Sequence, residues 1–225
     1  MRRLITFGDS FTYGEGLPDC IMPKKDKKIP PPSKFAWGEI LANKIKREHL
    51  NISKGGTGNK QIATNILNTS FRSDDIVVIL WTYWHRHCVL RENEKSLRIL
   101  PSSVYNFVGT SYSDIQATKL YYDYFFEPYD AFIQDIKEIN LVDKHLKDLG
   151  INPFHYALDS IPYVGEKERG FLKSKTFMYE LPAWNKVDIV NVTFSDVDRC
   201  EDGHPGVESH KQMAEYFYRK FPTNI

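Results

Sequence analysis

Cysteine is scarce in this 225-residue chain: the three residues Cys20, Cys88 and Cys200 form no CxxC pair and leave one over in any pairing. That excludes a disulfide framework, so reduced thiols and a reducing compartment are expected. An excess of either charge is also missing, since 30 Lys+Arg face 29 Asp+Glu for a formal charge of +1. Without a net field there is nothing to steer the chain to nucleic acid or to an anionic membrane. Long apolar runs are absent too. The start, "MRRLITFGDS", holds too short an apolar stretch for a secretory leader, and no later segment is long enough to cross a bilayer, which together predict a soluble, cytoplasmic protein. The glycine-rich "GGTGN" lacks the Gly-x-Gly-x-x-Gly register and the Walker lysine-threonine, so a nucleotide cofactor is not expected. No repeat or low-complexity tract interrupts the chain.

What is present is an alternation of strand-like and helix-like segments. "LITF" (4–7) reads as a short buried strand, "HLNIS" as a second, and "DDIVVILWT" (74–82) as the central strand, the most β-branched run in the chain. "INPFHYALDS" and "VDIVNVTF" are later strands. Between them Trp37, Ile40, Leu41 and Ile45 recur at helical spacing, Asn59 is placed to cap a helix carrying Ile62, Ile66 and Leu67, and a long amphipathic helix runs from Asp130 to Leu149 before Gly150. A last helix carries Val207, Met213, Ala214, Phe217 and Phe221 on one stripe, with His210 on the same stripe as a structural residue. Strands alternating with helices predict a single α/β domain over 1–225, a mostly parallel sheet covered on both faces, with insertions around 88–128 and 160–186.

In such sheets the ligand crevice lies beyond the carboxyl ends of the strands. Four segments end there: "GDS", "GGTGN", "WTYWHRH" and "EDGHP". Ser10 at a strand mouth presents a hydroxyl and a backbone N–H, but a serine needs a base within reach, and the base needs a carboxylate. Of the seven histidines, His204 alone has two carboxylates just upstream, Glu201 and Asp202, in a glycine- and proline-bearing loop. Gly-Asp-Ser is also an ordinary turn composition, with Ser10 a helix cap and Asp9 a turn residue. "WHRHC" brings His85, His87 and Cys88 together without a further acidic or thiol ligand, which argues against a metal. Trp81, Trp84, His85 and Arg86 are better read as a substrate-lining wall, and the aromatic cluster from Tyr121 to Phe126 either lines a sugar or acyl site or packs a helix on the sheet.

Taken in order, "FGDSFTYGEG", "NISKGGTGN" and "DGHPGVESHKQMAEYF" resemble the SGNH hydrolases, the GDSL-type esterases and lipases. The resemblance covers nearly the whole chain and implies a flavodoxin-like, three-layer α/β/α fold. It implies a carboxylic ester hydrolase with Ser10 as nucleophile and His204 as base, and an oxyanion hole built from the N–H groups of Ser10 and Gly56. It implies no cofactor and no metal, and a small-molecule or glycan ester as substrate; an O-acetylated sugar is favoured over a long-chain lipid because nothing in the sequence resembles an apolar lipid-docking helix. Two departures stand out. Where the family carries Gly-x-Asn-Asp, the third strand ends "LWTYWHRH", leaving no asparagine; Thr82 is the nearest stand-in as oxyanion donor, and some members share a Trp-Thr ending with an arginine four residues on, here Arg86. Where the family has Asp-x-x-His, Glu201 stands three residues before His204 and Asp202 two, so either can orient the imidazole. Asp9, Asn59, Trp81 and Arg86 are the expected substrate-binding residues. The altered third block leaves two other readings open: a non-catalytic glycan- or partner-binding module on the same fold, and an acyltransferase.

Overall fold

The computed structural model describes residues 2–21, 29–90, 97–99, 112–158 and 181–221. Five parallel strands form the central sheet: β1 (Arg3–Phe7), β2 (Glu48–Asn51), β3 (Ile76–Trp81), β6 (Phe154–Leu158) and β7 (Ile189–Val192). Their spatial order is β2-β1-β3-β6-β7, so the direction of winding reverses between β1 and β3. The β1–β3 register pairs Leu4 with Ile76 and Phe7 with Ile79, which brings the segments after both strands out at the same sheet edge. A crevice at this switch point is where doubly wound sheets take their ligands.

Six helices accompany the sheet among the described residues: α1 (Ser10–Tyr13), α2 (Trp37–Lys44), α3 (Asn59–Leu67), α4 (Tyr112–Leu120), α5 (Pro128–Asp148) and α6 (Val207–Lys220). The buried residues fall into two clusters, one on each side. Leu4, Val78, Leu80 and Tyr156 pack with Trp37, Leu41, Met213 and Phe217 of α2 and α6. Ile5, Phe7, Val77, Ile79 and Trp81 pack with Ile62, Ile66, Ile136 and Ile139 of α3 and α5. Alternate residues of each strand therefore serve opposite cores, as the two-residue side-chain period requires. The result is the three-layer α/β/α sandwich expected from the sequence.

The anticipated strands and the long helix fall where the sequence put them, α5 ending at Asp148 with Gly150 left-handed at φ 77°. His210 is buried on the inner face of α6, accepting the Trp37 N–H on Nδ1 at 3.1 Å. Within the 88–128 insertion the sequence missed a small antiparallel hairpin, β4 (His87–Val89) with β5 (Leu97–Ile99). It also missed a π-helical turn at Tyr121–Phe125 that buries Tyr122 and leaves Tyr124 and Phe125 exposed. Most of the 160–186 excursion lies outside the described residues. No helix among the described residues is long and apolar enough to cross a membrane.

Candidate functional site

Asp9 ends the first strand segment and caps α1: its Oδ1 accepts the Phe11 N–H at 3.0 Å. Cap and turn thus start the helix at Ser10, whose carbonyl accepts from Gly14 N and Glu15 N and closes the turn. Ser10 as a residue is largely buried, at 4% exposed. The loop after β2 folds onto this turn, Lys54 N donating to Gly8 O. In that loop Gly56 takes φ 66°, a left-handed conformation that side chains with a Cβ rarely adopt. The glycine at this position therefore has a backbone reason as well as the expected one of close approach.

The loop before α6 closes the site from the other side. Asp198 caps α6, its carboxylate accepting from Ser209 N at 2.8 Å and Glu208 N at 3.1 Å. That arrangement holds the segment from Arg199 to Pro205, which pairs as a bridge across His204. His204 Nδ1 lies 3.1 Å from Asp202 Oδ2, and Asp202 Oδ1 accepts the His204 N–H at 3.1 Å. Of the two candidate acids it is Asp202 that stands beside the imidazole, in an ion-pair contact whose alignment does not make a hydrogen bond at Nδ1, while Glu201 is exposed and makes no ion pair with it. The histidine loop contacts the first turn at three points. Phe11, next to Ser10, meets the His204 ring edge-on with centroids 6.0 Å apart, Asp202 lies against the bare α-carbon of Gly16, and Glu15 Oε2 lies 3.7 Å from His204 Nε2.

Glu15 escaped the sequence reading. Its carboxylate rests on Gly55, beside Gly56, and the only signal for it was the pair of glycines flanking it in "YGEG". A cleft of about 200 Å³ opens between the two loops, lined among others by Phe11, Tyr83, Arg86, Phe194, Asp202 and His204. Burial and the neighbouring Asp9 carboxylate raise the Tyr83 hydroxyl well above its ordinary range, so it stays protonated and able to donate.

Four expected site residues take other work. Thr82 is fully buried; its hydroxyl donates to Asp9 Oδ2 at 2.7 Å and its N–H to Asn59 Oδ1 at 2.8 Å. A hydroxyl has one proton, so Thr82 has none left for an oxyanion. Asn59 is fully buried as well, and the helix cap is Gly58. Its amide bridges α3 to the end of β3 and to α5, donating to Thr82 O at 3.0 Å and to Asp135 Oδ2 at 2.7 Å. Trp81 points into the core shared with α3 and α5, its indole N–H donating to His155 Nδ1 at 3.1 Å. Asp9, also fully buried, faces its protein partners and not the cleft. Of the four expected substrate-binding residues Arg86 alone lines the cleft.

His85 and His87 do not converge either: the first stacks on Tyr83 and the second on Tyr121. Among the described residues no group of three or more His, Cys, Asp and Glu is arranged to hold a metal ion.

No protein-family model and no curated protein matches the sequence. Solved structures do. A carbohydrate esterase whose active site is described as displaying divergent catalytic and non-catalytic binding functions superposes with a TM-score of 0.50 at 14% identity, over 99% of this chain and 69% of that one. The chain has the fold of the SGNH hydrolases. A lipolytic protein of the G-D-S-L family from Desulfitobacterium hafniense is similar over 98% of this chain and all of its own, with a TM-score of 0.46 at 13% identity. A family 2 carbohydrate esterase from Corynascus follows at 0.48 and 17%, over 97% of this chain and 65% of that one.

Proposed function

We propose that this protein is a serine esterase that cleaves a carboxylic ester through an acyl-enzyme formed on Ser10. The observation that carries the reading is the placement of His204. Its Nδ1 faces Asp202 at 3.1 Å while its ring packs on Phe11, the neighbour of Ser10, at the mouth of the cleft. Ser10 Oγ attacks the ester carbonyl carbon, the π-electron pair moves onto oxygen, and the serine proton passes to His204 Nε2. Collapse of the tetrahedral intermediate expels the alcohol with that proton, and water repeats the sequence to release the acid. Asp202 holds the imidazole tautomer and balances the imidazolium, and the N–H groups of Ser10 and Gly56 receive the oxyanion.

A cleft of about 200 Å³ is small beside the roughly 300 to 1,000 Å³ of drug-sized sites, which favours a short acyl group. Its wall combines aromatic Tyr83 and Phe194 with polar Thr193, Ser195 and Asp196, a surface suited to the apolar faces and hydroxyls of a sugar. Together with the fold shared with a carbohydrate esterase, this supports an O-acetylated carbohydrate as substrate. The free cysteines Cys20, Cys88 and Cys200 fit a reducing, cytoplasmic setting.

The 4% exposure of Ser10 favours one rival, a binding module that recognises such a glycan without cleaving it. Hydrolysis of p-nitrophenyl acetate, butyrate and octanoate by the wild type and by Ser10→Ala decides between them. Turnover that vanishes in the variant and falls with chain length is expected, whereas equal rates for the two proteins on every ester would end the esterase reading.

A further inference from the structure

The fold leaves the third oxyanion donor unassigned, because the residue nearest that position, Thr82, has both of its protons committed to Asp9 and Asn59. We propose that Arg86 is a catalytic residue that supplies this donor, its guanidinium receiving the ester oxyanion opposite the backbone N–H groups; this rests on the esterase reading above.

Three placements carry the proposal. Arg86 lines the cleft together with His204 and with Phe11, the neighbour of Ser10, so its side chain faces the same space as the proposed base. One arm of the guanidinium is fixed: NH1 donates to Asp9 Oδ2 at 2.5 Å, and Asp9 is the residue that caps the helix beginning at Ser10. Among the described residues Asp9 is the only hydrogen-bond partner of that guanidinium, so its remaining N–H bonds are uncommitted. The stem is held as well, since the guanidinium carbon lies 5.1 Å from the centroid of the Tyr83 ring and the Arg86 carbonyl packs on Gly58, where an added Cβ would fall 2.7 Å from it. A charged donor locked on two sides in a site 17% exposed at the side chain needs little reorganisation when the oxyanion forms, which is what makes such donors effective.

The chemistry suits the role. Arginine stays charged throughout, so it stabilises the developing negative charge without giving up a proton, and proton movement remains between Ser10, His204 and the leaving alcohol. Asp9 offsets the resting cation, which keeps the empty site from holding an unpaired buried charge. An amide at the end of the third strand would donate to the oxyanion without needing such a counter-ion; here the cation and the carboxylate occur together.

The test is steady-state kinetics on p-nitrophenyl acetate. Arg86→Gln is expected to lower kcat roughly 100- to 1,000-fold with KM changed less than threefold, and millimolar guanidinium is expected to restore part of the rate. Thr82→Val removes the other side-chain donor to Asp9 without facing the cleft, and is expected to lose less than tenfold. Equal losses in the two variants, or an Arg86→Gln enzyme within threefold of the wild type, would mean that the arginine only holds Asp9, and would overturn the proposal. If Arg86→Gln does not fold, Arg86→Lys keeps a cation for Asp9 without the planar fork; a loss of at least tenfold supports the role and a smaller one overturns it. A wild type showing no Ser10-dependent turnover and no Ser10 labelling by a fluorophosphonate overturns both readings, while Ser10-dependent turnover unaffected at Arg86 overturns this one alone.

Discussion

Thr82 and Asp9, 73 residues apart, are joined by a hydroxyl-to-carboxylate hydrogen bond of 2.7 Å at the switch point of the sheet. Both residues are fully buried, so the bond ties the end of β3 to the cap of the helix that begins at Ser10, in a medium where an unpaired acceptor is costly. Replacing Thr82 by valine keeps the shape and deletes the donor. The expected outcome is a loss of about 1 to 3 kcal/mol in urea unfolding, with Thr82→Ser recovering most of it. A valine variant as stable as the wild type would show that Arg86 alone satisfies Asp9.

Asp202 and Glu201 are adjacent, yet one carboxylate is 3.1 Å from His204 Nδ1 and the other points to solvent. On the proposed triad Asp202→Asn removes the carboxylate that balances the imidazolium, and kcat is expected to fall. For a well-enclosed triad acid the loss is on the order of 10⁴-fold. Here the Asp202 side chain is 43% exposed and solvent screens it, so a loss of about ten- to a hundredfold is expected. Glu201→Gln should stay within about twofold by the same reasoning. Equal effects of the two substitutions on p-nitrophenyl acetate turnover would remove Asp202 from the proposed triad.

The strands were legible because β-branched runs such as "IVVIL" have few alternatives, and the loops that meet at the sheet edge were legible because a parallel sheet sends every strand end to one side. What was not legible is which way each residue at those ends points. Trp81 and Thr82 are neighbours in an unbroken apolar run, and no alternation of polar and apolar residues told that Trp81 joins the α3/α5 core. Asn59 looked like a cap because it precedes an apolar period; its amide is drawn instead to Asp135, 76 residues away, a partner no local pattern reveals. Glu15 was passed over because its meaning lies in the approach of a loop nearly two hundred residues later.

His210 gives the protein an acid-sensitive joint between α2 and α6. Burial is the main cause that lowers its pKa from 6.5 to about 3; the facing Asp198 carboxylate works against that shift and His204 with it. The folded state thus keeps the imidazole neutral, accepting the Trp37 N–H, at pH values where the unfolded chain protonates it. The unfolded state binds more protons in that range, so stability from this residue is complete above pH 6.5 and is lost as pH falls toward 3. His210→Gln supplies an amide oxygen for the same N–H without titrating. Its urea midpoint should change less between about pH 7 and pH 4 than that of the wild type, and parallel acid limbs would show that other groups govern the transition.

Asp135 should act with the opposite sign. Burial raises its carboxyl well above the ordinary 3.8, outweighing the lowering effect of the Asn59 hydrogen bond, while Glu138 pushes it further up. The folded state then holds a proton that the unfolded chain releases, so stability is greatest below pH 3.8 and declines as pH rises through the raised value. An asparagine at 135 retains a carbonyl oxygen to accept the Asn59 amide, now 2.7 Å from Asp135 Oδ2, and carries no charge to desolvate. Asp135→Asn is expected to be at least as stable as the wild type near neutral pH and to flatten the decline above it. Asp135→Ala leaves the buried Asn59 amide short of an acceptor and should cost about 1 to 3 kcal/mol. Urea midpoints of the three proteins across about pH 5 to 9 check both expectations. An asparagine variant as unstable as the alanine one would mean that the native carboxyl is ionised, and that Asn59, and through it Thr82, is held by a charge.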